Sequence, residues 1–220
     1  MKKLFIFDFD GTLVDTIKDV GICFNEALRR SGLPQHPLER FGSFAGGNLE
    51  TVVSKMLPPD QVTQENITRV KTVYRELYMN SDKPNTKPYP GIVELLSNLK
   101  SAGAAVAVNS NKGQVLLDDM VEKMFPAGFF DAVIGYQEDR PSKPDPYGVE
   151  LICNICRRKP SEAVYIGDGR SDLDMAENAG IPCVFVLWGQ GSCADQNDPR
   201  AAARAKNVEQ LRKRLFSEEL

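Results

Sequence analysis

The chain has no excess of positive charge: 27 Lys and Arg stand against 30 Asp and Glu, for a net charge of −3. Its bases are interleaved with acids, so a polyanion meets no broad attracting field and no nucleic-acid partner is expected. The short run Arg212, Lys213, Arg214 falls on a terminal helical pattern and reads as a solvated face. Long hydrophobic runs are missing too. No apolar stretch approaches the ~18 residues of a membrane span. The start, Met1-Lys2-Lys3-Leu4-Phe5-Ile6-Phe7-Asp8, meets an acid too soon for an export signal. Cysteine is sparse and odd in number, at positions 23, 153, 156, 183 and 193. That excludes a dense disulfide framework and favours a reducing compartment, so the expected location is cytoplasmic. Cys153 and Cys156 form one C-x-x-C with no second pair to complete a tetrahedral zinc site, and read as two half-buried thiols. The one histidine, His36, lies in a loop beside two prolines and reads as a surface residue. Internal repeats and low-complexity tracts are absent. What remains is a globular chain of 220 residues, enough for one core domain carrying a smaller insert.

Short apolar runs rich in β-branched and aromatic residues occur at Leu4 to Phe7, Ala105 to Val108, Ala132 to Ile134, Ala163 to Ile166 and Cys183 to Leu187, and predict buried strands. Helical periodicity lies between them, at Ile92 to Lys100, Gln114 to Met124, Tyr147 to Cys156 and Leu173 to Ala179, with Val208 to Phe216 closing the chain. Such alternation predicts an α/β fold, a Rossmann-like doubly wound parallel sheet covered on both faces. One stretch breaks the pattern. From about Thr16 to Asp82 only amphipathic segments occur, at Ile17 to Arg30, Asn48 to Leu57 and Gln61 to Tyr78. The expected division is therefore a core of residues 1–15 and 84–220 with an α-helical insert at 16–83. The return through Lys83 to Pro90, with three prolines, reads as a linker or hinge.

The chemistry begins where the first strand ends. In Asp8-Phe9-Asp10-Gly11-Thr12-Leu13 two carboxylates spaced by two on an extended chain point to the same side. Their repulsion asks for a divalent cation, a proton or both. Carboxylate and backbone oxygens are hard ligands, which favours Mg²⁺ over zinc. Gly11 lets the backbone turn sharply away. Ser110, Lys143 and the pair Asp168 and Asp172 also follow strand-like runs. In an open parallel sheet all these loops lie at the carboxyl ends of the strands, where ligands bind.

Taken together, Asp8-Phe-Asp-Gly-Thr, Asn-Ser110-Asn, Lys143-Pro-Asp-Pro and Gly-Asp168-Gly-Arg-Ser-Asp172 resemble the four-motif signature of the haloacid dehalogenase superfamily. The helical insert resembles the first type of cap domain in that superfamily. Tyr89-Pro-Gly-Ile-Val-Glu-Leu-Leu and Val186-Leu-Trp-Gly look like the phosphoglycolate phosphatase branch. The resemblance implies a phosphatase in which Asp8 attacks phosphorus and Asp10 serves as acid and then base. It implies Mg²⁺ held by Asp8, the Asp10 carbonyl and Asp168, with Asp172 behind them. It implies a substrate-binding set of Ser110, Asn111, Lys143, Gly11 and Thr12. Asp10 argues against dehalogenation, which uses the first aspartate without an acid two residues later.

Asn109 and Arg170 depart from the commonest phosphoglycolate phosphatase pattern and leave the phosphorylated metabolite open. Substrate choice is expected in the cap, at Gly42-Ser43-Phe44-Ala45-Gly46-Gly47-Asn48. Gly189-Gln190-Gly191-Ser192 reads as a turn. The rival readings are a phosphomutase, a phosphonate or pyrophosphate hydrolase with Lys55 as the Schiff-base candidate for phosphonate, and a non-catalytic binding module. A monomer or homodimer is expected.

Overall fold

The computed structural model of the protein describes residues 2–217; residue 1 and residues 218–220, the two ends of the expected core, lie outside them. In chain order the elements are β1 (Leu4–Phe7), β2 (Val14–Asp15), α1 (Ile17–Arg30), α2 (Phe41–Phe44), α3 (Leu49–Met56), α4 (Gln64–Asn80), β3 (Lys87–Pro88), α5 (Ile92–Ser101) and β4 (Ala105–Gly113). They continue with α6 (Gln114–Met124), β5 (Ala132–Tyr136), α7 (Tyr147–Ile155), β6 (Ala163–Gly167), α8 (Arg170–Asn178), β7 (Cys183–Val186), α9 (Cys193–Gln196), β8 (Ala203–Ala205) and α10 (Val208–Leu215).

The main sheet has the order β5-β4-β1-β6-β7-β8, and every neighbouring pair is parallel. The chain runs outward from β1 through β4 to β5, then returns to the other side of β1 and runs out through β6, β7 and β8. Such a reversal is a topological switch point, and it opens a crevice beyond the carboxyl ends of the central strands. β1 is buried along its whole length, with Phe5 and Phe7 in one apolar cluster and Leu4 and Ile6 in the other. The period of two thus feeds both faces of the sheet, which is why β1 reads as a continuous apolar run. Each of these side chains contributes about 1.5–3 kcal/mol by leaving water.

Two strand features escape the apolar-run criterion. Ala203–Ala205 has no bulky apolar residue, yet it forms the edge strand β8 beside β7, giving six strands where five were expected. β4 runs on through the polar residues Asn109 to Gly113, so Ser110 lies within a strand rather than after one. α8 likewise begins at Arg170, earlier than the expected Leu173.

The insert is helical as expected. α1 packs along α4, and α3 lies against α4. Asn48 and Thr63 open α3 and α4 by accepting the amides of Thr51 and Asn66, which satisfies donors that helix starts otherwise leave unpaired. Phe24 of α1 stacks on Tyr74 of α4 with ring centroids 3.7 Å apart. His36 has a structural role: Nε2 lies 2.8 Å from the Met56 carbonyl oxygen, and the ring packs on Phe44. No described helix is long and apolar enough to cross a membrane.

The crossing between core and insert is more ordered than its prolines suggested. β2 and β3 pair antiparallel, placing Val14 opposite Pro88 and Asp15 opposite Lys87. Buried Asp19 of α1 accepts three bonds from the turn that precedes β3: the Asn85 amide at 2.9 Å, Asn85 Nδ2 at 2.7 Å and Thr86 Oγ1 at 2.7 Å. Asp19→Ala removes the acceptor for all three. The expected loss of stability is about 2–4 kcal/mol, read as a lower urea midpoint with unchanged m-value. A loss under about 0.5 kcal/mol would mean that Asp19 does not anchor the crossing.

Candidate active site

A cleft of 1540 Å³ lies between the carboxyl edge of the sheet and the helical insert. Asp8 follows β1, and its amide donates to the Ile166 carbonyl of β6 at 2.8 Å, which continues the ladder one residue past the strand. Asp168 follows β6, and Asp172 lies in the first turn of α8. Carboxylate oxygens of Asp8, Asp168 and Asp172 lie within 4.8 Å of one another, and all three residues are buried. Lys143, from the loop after β5, bridges two of them: Nζ is 2.8 Å from Asp8 Oδ1 and 2.7 Å from Asp172 Oδ1. Its ammonium also donates to Tyr165 Oη at 3.2 Å, and that hydroxyl donates to the Asn109 carbonyl at 2.8 Å. Lys143 is thus a buried cation bonded to two carboxyl groups, and interior charge is tolerable where it is paired in this way.

Three carboxylates and one lysine do not balance. Burial, with the nearby charges of Asp172 and Asp10, raises the Asp8 carboxyl from 3.8 to about 7 despite the opposing pull of Lys143. Burial, followed by the charges of Asp8 and Asp172, carries Asp168 up to about 8. For Lys143, burial works against the charge, but Asp172 and Asp8 outweigh it and raise its pKa. A site that holds carboxyls reluctant to ionise is short of positive charge. A hard divalent cation would supply it, and the carboxylates of Asp8, Asp168 and Asp172 offer an all-oxygen donor set.

Asp168 is held as a ligand would need to be. Thr12 Oγ1 donates to its Oδ1 at 2.8 Å and the Gln190 amide to its Oδ2 at 2.7 Å. Gly11 has φ +81°, and a Cβ there would overlap the Asp168 carboxylate; so would one at Gly189. Asp172 Oδ2 accepts the amides of Asp168 and Gly169, at 3.1 and 2.9 Å. With Lys143 on its other oxygen, Asp172 orients its neighbours.

Several expected sites are rearranged. Thr12 was expected at the substrate, but it is fully buried beneath Asp168 and orients that carboxylate instead. The Asp10 carboxylate is outside the three-acid cluster; it accepts Thr16 Oγ1 at 2.7 Å and lies 3.1 Å from Lys112 Nζ. Ser110, Asn111 and Gly11 line the cleft. Asn111 Nδ2 donates to the Lys143 carbonyl, which ties two cleft-lining segments together.

The turn at Gly189 to Ser192 is part of the site, wrapped around Asp168. Phe41–Phe44 is a short helix where a loop was expected, although Gly42, Gly46 and Gly47 do line the cleft. Lys55 donates to the carbonyls of Ala45 and Gly46, at 3.0 and 3.1 Å, which makes it a clamp on that loop and a poor Schiff-base amine. Arg170 pairs with Asp195 and Asp198 at the rim. Lys112, Tyr165, Thr16 and Gln190 were not anticipated. For Lys112 a signal existed in its place two residues past Ser110, which on a regular strand puts both on one side, although the register of β4 shifts between Asn109 and Gly113.

The family model for haloacid dehalogenase-like hydrolases matches residues 5–186. A phosphoglycolate phosphatase of Aquifex aeolicus is 30% identical over 187 residues, covering 85% of each chain. One from Caulobacter vibrioides is 32% identical over 185 residues, 83% of this chain and 78% of its own. A crystal structure from Lactobacillus delbrueckii subsp. bulgaricus, provisionally assigned as a phosphoglycolate phosphatase, superposes with a TM-score of 0.92 at 28% identity. It covers 99% of this chain and 100% of its own. Motif order, sheet topology and these likenesses agree: the chain belongs to the haloacid dehalogenase-like hydrolases.

Proposed function

We propose that this protein is a magnesium-dependent phosphatase of a small phosphate monoester resembling phosphoglycolate, with Asp8 as its nucleophile. The observation that carries the reading is the buried cluster of Asp8, Asp168 and Asp172 bridged by Lys143 at the carboxyl ends of β1 and β6. Residues 16–83 form the cap domain in this reading, over a core of 1–15 and 84–220. The names of the relatives favour phosphoglycolate itself.

Asp8 and Asp168, with the Asp10 carbonyl, would hold Mg²⁺, which when bound offsets the negative charge of nucleophile and phosphoryl oxygens. Asp8 then bonds to phosphorus as the ester P–O bond breaks, and Asp10 delivers a proton to the departing alkoxide. In the second step the oxygen of water bonds to phosphorus, Asp10 takes a proton from it, the Asp8–P bond breaks and inorganic phosphate leaves. Ser110 and Lys143 receive phosphoryl oxygens, where negative charge accumulates. Thr12 and Gln190 keep Asp168 fixed throughout, so little reorganisation accompanies the reaction.

Phosphate release from a panel of phosphorylated metabolites, with 2-phosphoglycolate and pyrophosphate included, tests this directly. The expected result is a preference for a small monoester with kcat/KM on the order of 10⁴ M⁻¹s⁻¹ or above, abolished by chelator and restored by Mg²⁺. Failure to hydrolyse any monoester in Mg²⁺, or turnover indifferent to chelation, would refute it.

A further inference from the structure

Lys112 has no part in the mechanism above, yet few cations in the chain are more enclosed: its side chain is 6% exposed. It stands near the end of β4, and its amide donates to Ser110 Oγ at 3.2 Å. Its Nζ lies 3.1 Å from Asp10 Oδ1, the oxygen that also accepts Thr16 Oγ1. Over that ammonium lies the ring of Tyr78 from cap helix α4, 5.0 Å away. Tyr78 is itself buried and stacks on Tyr74, with centroids 5.4 Å apart.

An exposed ion pair would explain nothing, because such pairs are weak and mobile. This pair is lopsided: the lysine is enclosed, while Asp10 is 35% exposed and faces the cleft. Enclosing an ammonium is costly unless a partner and an aromatic face receive it, and both do so here. The enclosed member is therefore the fixed one and the acid is what it fixes. Because the aromatic face belongs to the cap, the grip on the acid depends on where the cap sits.

We propose that Lys112 is a positioning residue: its ammonium, seated under the Tyr78 ring of the cap, holds the Asp10 carboxyl in the line of the leaving oxygen. This rests on the assignment of Asp10 as the acid of the phosphatase reaction. Lys112 neither gives nor takes a proton; it restricts the torsion of Asp10 and links it to cap closure. A leaving alkoxide needs the Asp10 proton when its P–O bond breaks, whereas p-nitrophenolate departs without it. Lost positioning should therefore penalise alkyl esters and spare the aryl ester, while lost phosphate binding would penalise both.

The test uses full-length protein with Mg²⁺ and compares Lys112→Met, Lys112→Arg and Tyr78→Leu with the wild type. Single-turnover ester cleavage is followed on 2-phosphoglycolate and on p-nitrophenyl phosphate. Lys112→Met should slow the alkyl ester about 10²-fold and the aryl burst less than about five-fold. Lys112→Arg should restore at least about ten-fold of the loss, and Tyr78→Leu should lower alkyl cleavage selectively. Equal losses on both esters, or none on either, would overturn the proposal.

A second readout needs no turnover. Melting temperatures of Lys112→Met, Asp10→Asn and the double variant should depart from additivity by about 4 °C or more; additive shifts would mean that Lys112 does not hold Asp10. If the wild type cleaves no monoester of the metabolite panel the phosphatase reading fails, and the melting cycle still decides whether Lys112 grips Asp10.

Discussion

Asp8→Asn is expected to lower kcat by on the order of 10⁴-fold or more while leaving the melting temperature of the metal-free protein unchanged or higher. The amide is nearly isosteric, and its oxygen can still accept from Lys143, which now stands 2.8 Å from Asp8 Oδ1. What disappears is the proposed nucleophile, together with one of three acids crowded within 4.8 Å. Activity and stability thus oppose each other at this position, as expected where function keeps like charges together. Steady-state phosphate release and differential scanning fluorimetry on the same samples check both halves. Residual activity above about 1% would remove Asp8 from the nucleophile's role. A melting temperature lowered by more than about 5 °C would show that the carboxylate supports the fold.

The second large effect is a stability that falls with pH until a metal is supplied. In the unfolded chain the carboxyls of Asp8 and Asp168 titrate near 3.8; in the folded chain they titrate near 7 and 8, chiefly because they are buried. Between those limits the native state holds protons that the unfolded state has released. Stability therefore declines as pH rises from about 4 to about 8, then levels off. The raised pKa of Lys143 adds no slope in this window, since its stabilising charge is present below 10.5 and is lost only above it. In chelator, the decline should amount to several kcal/mol, on the order of 1.4 kcal/mol for each pKa unit reduced by coupling among the acids.

Mg²⁺ competes with those protons, so its stabilisation should be larger at pH 8 than at pH 5. At a hundred times its dissociation constant it contributes about 2.7 kcal/mol, or roughly 5–10 °C for a chain of this size. Thermal melts across pH 5–8.5, with chelator and with Mg²⁺, provide the check. A melting temperature that is flat or rises with pH in chelator, or a metal shift that is equal at both ends, would contradict the account of the cluster.

Asp8, Asp10, Asp168 and Asp172 were readable because continuous apolar runs mark the buried strands they follow, while Ser110 lies inside β4 and Lys143 in the loop beyond β5. In a parallel sheet the ends of such strands share one rim. Thr12 shows where such reading stops. Its neighbours in sequence suggested the substrate, but its hydroxyl meets Asp168, 156 positions away. β8 escaped because an edge strand flanked on one side can be built from Ala-Arg-Ala, with no apolar run to mark it. The linker's order escaped because Asp19 sits in a helix, 66 residues before the amide it anchors.

Local chemistry, then, determined by itself the α/β class, the helical insert and the residue types delivered to the rim, since propensity, periodicity and spacing act over a few residues. Tertiary structure alone decided the pairings among those residues: Lys143 between Asp8 and Asp172, Lys112 on Asp10 beneath a tyrosine of the helical insert, and the glycine turn closed around Asp168. The physical reason is that buried charges and hydrogen-bond donors take the nearest available partner in space. Which partner is nearest follows from the order of strands in the sheet and the seat of the helical insert, neither of which is a local property of the chain.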